Sequence, residues 1–263
     1  MNRVSLIFLL AVLHFGLSAQ AYLPTSTTNF LIAHSHYTLS YCTKNKQAEW
    51  VYYELNTEML KGSQSRTNSF RPDPKVKEGS SSLKDYRYSG YDRGHLCPAA
   101  DMKMSPVSME ETFYLSNISP QNPSFNRGIW SALESVVRNW TETKGRIYVV
   151  TGGVLSSAKS TIGENKVAVP SYFYKIVYAP DQDKMIAFIL PNKKGKGHLT
   201  DYVVSVDYVE SLTGIDFFAD LDTDIQNRLE HESNHTLWSF GRNTNSNTAG
   251  FSEKVISIIN FFD

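Results

Sequence analysis

Only two cysteines, Cys42 and Cys97, occur among 263 residues. That excludes a disulfide-dense scaffold, so folding must rest on a hydrophobic core. A single bridge between the two stays open, because it depends on a Cα separation that sequence does not reveal. Net charge is lacking as well: 26 Lys+Arg cancel 26 Asp+Glu, which neither requires nor excludes a polyanionic partner. Beyond residue 21 no run is long and apolar enough to span a bilayer. No internal repeat recurs, which excludes a solenoid.

What is present begins with "MNRVSLIFLLAVLHFGLSAQA", a short basic start, an apolar run and a small-x-small end. Residues 1–21 read as a secretory signal peptide cleaved after Ala21, so the mature chain is expected to be exported, secreted or periplasmic. His14 interrupts the run, which argues against a permanent anchor. Residues 22–240 are expected to form one domain, and 241–263 a polar linker with a short apolar tail. Hydrophobic residues make up 41% of the chain, ordinary for a packed core.

Charge is unevenly spread. Lys61 to Arg93 holds eight basic residues against four acids, and Asp207 to Glu232 holds eight acids and one base, Arg228. The basic stretch suits a phosphate backbone, or a solvated loop. "HYTLSYC" (36–42) and "AEWVYYEL" (48–55) read as paired strands, and residues 56–82 as an exposed loop. "RIYVVTGG" (146–153) reads as a buried strand, and residues 172–190 as a hairpin around Pro-Asp-Gln-Asp. Ile129, Trp130, Leu133, Val136, Val137 and Trp140 recur at three and four, an amphipathic helix. Two more helices are expected over 201–214, stopped by Gly214, and 221–232, capped by Asp222 or Thr223. Strands and helices mixed with hairpins indicate an α+β fold.

Three segments concentrate chemistry: "YDRGH" (91–95), "YLSNISPQNPSFNRGIW" (114–130) and "ALE" (132–134). His95 is a candidate general base, since imidazole titrates near neutral pH; a structural histidine is the plainer reading. Arg93, on the same face of an extended segment, can neutralise a phosphate, or pair with Asp92. Gly94 allows close backbone approach, a positive φ, or a bend. Asn126 offers a hard amide oxygen suited to magnesium, or a helix cap. Glu134, eight residues on, lies about 12 Å along an α-helix, too far for both side chains to bind one ion directly. It can hold the ion's waters, or be a solvated acid. Asn117 is a polar support or a turn residue; it also heads a glycosylation sequon, Asn117-Ile-Ser, where a glycan would block the site.

"YDRGHLCPAADM", "TFYLSNISPQNPSFNRGIWSALE" and "VAVPSYFYKIVY" together resemble the DNA/RNA non-specific endonucleases, which include secreted nucleases and endonuclease G-like enzymes. The likeness covers about residues 34–225. It implies a ββα-metal (His-Me finger) nuclease with a central antiparallel sheet flanked by helices. It implies His95 as general base, Arg93 as phosphate-binding stabiliser, Asn126 as the single direct magnesium ligand, Glu134 on metal-bound water and Asn117 as site support. Manganese is an alternative ion. An upstream arginine before "DP" is also implied, Arg66 or Arg71, with Arg66 preferred. Substrates would be DNA and RNA alike, cut to 5′-phosphorylated products. With no recognition helix or zinc module, selectivity for base sequence should be weak.

Two other readings compete. Cys97 beside His95 could form a nucleophile pair, but that leaves Arg93, Asn126 and Glu134 without a role. A catalytically dead nuclease fold that only binds nucleic acid is the other. Oligomeric state and an inhibitor protein leave no mark in the sequence.

Overall fold

The computed structural model describes residues 22–77 and 79–240. The signal-peptide and tail readings therefore lie outside the described residues. No helix among the described residues is long and apolar enough to cross a membrane.

The chain opens with β1 (Leu31–Ala33), β2 (Thr38–Cys42) and β3 (Gln47–Leu55), followed by two single-turn helices, α1 (Thr57–Leu60) and α2 (Leu83–Tyr86). Next come β4 (Asp92–His95), α3 (Pro106–Glu111) and β5 (Ile118–Gln121), then α4 (Ser131–Lys144). Strands β6 (Ile147–Gly153), β7 (Ser160–Ile162), β8 (Val167–Val169), β9 (Tyr172–Ala179), β10 (Lys184–Pro191) and β11 (Val203–Val204) precede α5 (Val206–Thr213) and α6 (Thr223–Leu229).

Seven strands form one antiparallel sheet in the order β1-β2-β3-β6-β9-β10-β11. Its central strands are buried on both faces, so their sequences are nearly continuous apolar runs whose period of two sorts side chains by face. Val51, Tyr53, Val149, Val177 and Phe188 face one way and pack with Leu133, Val137 and Trp140 of α4. Trp50, Tyr52, Val150, Ile176 and Ala187 face the other way, against Val206 and Val209 of α5 and Phe217 and Phe218. The result is an α+β sandwich with the sheet in the middle.

Most expected elements are where their patterns put them. The third helix is capped by Asp222, whose side chain accepts from the Asp224 amide. Gly214 takes φ +70 after α5 and stops it. Two expectations are corrected, and one open question is answered. The helix expected from 201 begins only at Val206, because Val203 and Val204 add an edge strand to β10. Residues 56–82 are not simply an exposed loop: Asp73, Val76 and Ser81 are buried. Cys42 and Cys97 are both free thiols, so no disulfide joins them.

Candidate active site

Strands β4 and β5 pair apart from the main sheet, with Asp92 opposite Gln121 and His95 opposite Ile118. The chain then runs into α4, which completes a β-β-α unit around the candidate residues. Gly94 earns its place by close approach. A Cβ there would meet the Gln121 side chain at 2.1 Å, and Gln121 is itself buried.

His95 is buried, and its Nε2 has no hydrogen-bond partner among the described residues. Its ring packs against Phe70 and Phe113, with centroids 5.4 and 5.1 Å away. These two phenylalanines also gather the arginines. The Arg93 guanidinium lies 4.3 Å over Phe70, and that of Arg66 5.0 Å over Phe113. Burial, and then the charges of Arg66 and Arg93, lower the His95 pKa to about 3. The imidazole is therefore neutral near pH 7. A buried ring nitrogen without a partner costs about 1–3 kcal/mol, and such a group calls for an explanation beyond packing.

Of the two upstream arginines, it is Arg66 that lies close enough to influence His95. Arg71 turns away, to Glu110 at 3.2 Å and over the Tyr114 ring. The loop that bears Arg66 is anchored from inside. The Asp73 carboxylate meets His34 Nε2 at 2.9 Å and Ser116 Oγ at 2.5 Å, and accepts the Lys75 amide at 2.8 Å. Ser116 neighbours Asn117, so one carboxylate ties the arginine loop to the strand connection behind His95.

Asn117 is fully buried and fully satisfied. Its Oδ1 accepts the Cys97 amide at 2.8 Å, and its Nδ2 donates to the carbonyls of Cys97 and Thr112, both at 2.9 Å;. Those bonds fix the backbone just past His95, so Asn117, which also closes a tight turn over Leu115–Asn117, supports that backbone, and burial leaves no room for a glycan. Cys97 is likewise fully buried, and burial pushes its thiol well above the usual range. A nucleophilic cysteine is thereby disfavoured.

Asp92 does not pair with Arg93. It accepts Arg127 Nε at 2.8 Å and Nη2 at 2.6 Å, and Asn126 Nδ2 at 2.9 Å. Holding the Asn126 nitrogen orients the amide and leaves its oxygen for another partner. Asn126 caps no helix: it sits inside a wide π turn, Phe125–Trp130, in which Gly128 departs from helical geometry (φ −111, ψ −112). The straight α-helix assumed between Asn126 and Glu134 therefore does not exist, and the 12 Å separation does not apply.

Glu134 projects from the first turn of α4. Burial, opposed by Lys175 and reinforced by Asp101, raises its pKa to about 7. Its carboxylate makes no hydrogen bond or ion pair among the described residues, while Arg138, one turn on, is committed to Asp101 at 2.8 Å. Sequence reasoning missed Lys175, which is fully buried in a strand expected to be apolar, with Nζ 2.6 Å from Thr151 Oγ1. Its only signal was a lysine at a position whose neighbours all point inward.

A neutral imidazole, two guanidiniums, an oriented amide oxygen and an unpaired carboxylate are a donor set that suits a hydrated hard cation beside a phosphate. A model of the DNA/RNA non-specific endonuclease family matches residues 18–224. The chain belongs to that family. It is 37% identical over 218 residues to Nuclease C1 of Cunninghamella echinulata var. echinulata, covering 76% of this chain and 86% of that protein. It is 35% identical over 216 residues to the mitochondrial nuclease EXOG of Mus musculus, covering 74% of this chain but only 59% of that longer protein. Among solved structures it is similar to the crystal structure of an EndoG/EndoGI complex, concerned with EndoG inhibition. The TM-score is 0.68 at 33% identity, over 73% of this chain and 86% of that one. The fold is that of the ββα-metal nucleases, and the protein is a nuclease.

A cavity of about 510 Å³ lies to one side, among Tyr91, Tyr172, Lys193, Lys196 and Tyr202. A second, about 340 Å³, reaches the site itself through Tyr91, Asp92 and Arg93.

Proposed function

We propose that this is an exported, magnesium-dependent endonuclease that hydrolyses phosphodiesters of DNA and RNA without reading base sequence, leaving 5′-phosphates. Manganese is an alternative ion. The observation that carries the reading is the buried imidazole of His95, its Nε2 without a partner among the described residues, beside the guanidiniums of Arg66 and Arg93, neither of which makes an ion pair among those residues.

In this reading Arg66 and Arg93 bind the scissile phosphate. Burial first, and their positive charge second, hold His95 neutral in the free protein, and an arriving phosphate offsets the charge. The imidazole then becomes more basic when substrate is present, which suits proton abstraction from the attacking water. Asn126 would hold magnesium directly through its amide oxygen, and Glu134 through water. When bound, the ion supplies charge stabilisation at phosphorus and at the departing 3′-oxygen. Asn117 keeps the strand under His95 in place.

The test is supercoiled plasmid and total RNA incubated with the purified chain and magnesium, with and without EDTA. Cutting of both substrates, lost to EDTA and indifferent to a thiol alkylator, is expected. Plasmid binding without nicking would instead support a dead nuclease fold. Export is tested by the N-terminus of the mature protein, expected at Tyr22.

A further inference from the structure

On the sheet face opposite α4, the acid-rich stretch folds into a compact cluster. Asp207 and Glu210 stand three residues apart on α5, and Glu230 follows α6. One carboxylate oxygen from each lies within 4.8 Å of the others. The backbone holds this arrangement, since the Asp207 amide donates to the Glu230 carbonyl at 3.2 Å.

Two of the three acids have other contacts. Glu210 Oε1 accepts the Phe217 amide at 2.8 Å, and Asp207 Oδ2 lies 3.2 Å from His231 Nδ1. Glu230 differs. It is only 5% exposed, and its Oε1 is buried with no hydrogen-bond partner among the described residues. Apart from burial, the influences on it are the negative charges of Glu210, Asp216 and Asp207, and together they push its pKa up to about 8. A buried carboxylate among like charges needs either a proton or a cation.

The geometry points to a hard divalent cation held by Asp207, Glu210 and Glu230, locking the start of α5 to the end of α6. Calcium is the ion of choice. It takes six to eight oxygens in irregular arrangements, whereas magnesium demands a near-ideal octahedron. Asp207 is exposed, so solvent can complete the shell. This site shares no residue with Asn126 and Glu134 and serves structure rather than cutting.

The experiment uses the full chain carrying Asn126→Ala, which removes the proposed magnesium ligand, after EDTA treatment and dialysis. Calcium chloride is titrated while thermal unfolding and heat of binding are followed. One calcium per chain is expected, with Tm rising by about 5–10 °C at calcium a hundredfold above Kd. Adding Glu230→Gln should abolish both signals, while the single variant Glu230→Gln still cuts plasmid with magnesium at 25 °C. No calcium binding in the Asn126→Ala chain, or equal binding after Glu230→Gln, overturns the proposal. A Glu230→Gln chain as stable as its parent, with calcium inert in both, identifies a proton there instead. Should Glu230→Gln fail to fold, terbium luminescence of the otherwise unchanged chain, displaced by calcium but not by equal magnesium, decides the matter: its absence counts against the site.

Discussion

His95 owes its behaviour to two neighbours as much as to its own ring. Burial and the charges of Arg66 and Arg93 keep it neutral down to about pH 3. We expect His95→Ala to lower kcat by at least two decades, general-base help being ~10²–10⁴-fold, while DNA binding measured in EDTA survives. Parental cutting by that variant would refute the role. Asn126→Ala should raise the magnesium concentration needed for half-maximal cutting, and unchanged metal dependence would point to another ligand. Glu134 adds a pH dependence whose sign is fixed. Its pKa in the ion-free protein is about 7, and only the carboxylate form favours a cation. The magnesium requirement should therefore rise as pH falls from 8 to 6. Glu134→Gln should flatten that trend; a trend that persists in the variant assigns it to another group.

Elements carry the next level of the argument, and here the β4–β5 pair and the Arg66 loop matter most. Gly94 admits no side chain, because buried Gln121 fills the space over it. Gly94→Ala should cost about 1–3 kcal/mol by overpacking, read as a fall in urea midpoint with unchanged m-value. The loop depends on Asp73, lowered below the usual carboxylate range despite burial by bonds from His34, Ser116 and the Lys75 amide, while the same acid and Glu111 raise His34 against the effect of burial. The signs define a window. The Asp73 contribution is complete above pH 3.8 and is lost as pH falls, and the His34 contribution is complete below 6.5 and is lost as pH rises through its raised value. Asp73→Ala breaks a buried pair and should destabilise by about 3–5 kcal/mol. A loss below 1 kcal/mol would mean that the loop is held by other contacts.

At the scale of the whole molecule, the sheet separates two groups of side chains. The face under α4 carries the β4–β5 pair with Arg93 and His95, and the face under α5 carries the cluster of Asp207, Glu210 and Glu230. We expect the net-neutral chain to engage a polyanion locally, through Arg66 and Arg93. Binding through phosphates should weaken steeply with salt, log Kd rising linearly with log salt concentration. A salt-independent affinity would exclude backbone contacts as its source.

The sequence by itself determined the α+β class, most of the sheet strands and the family, and it nominated His95, Arg93, Asn126, Glu134 and Asn117 as candidates. Apolar period and cap chemistry are local, and three segments in order carry a family's likeness. It could also nominate Arg66 over Arg71. Tertiary structure decided the rest. It showed that Asn126 lies in a π turn, oriented by Asp92, and that Phe70 and Phe113 gather the imidazole and guanidiniums. It also revealed the anchoring of His34 to Asp73, the burial of Lys175 and the Glu230 Oε1 left without a partner among the described residues. Each of these depends on which distant side chain arrives opposite, and burial, charge coupling and a missing partner are properties of that meeting rather than of any one residue.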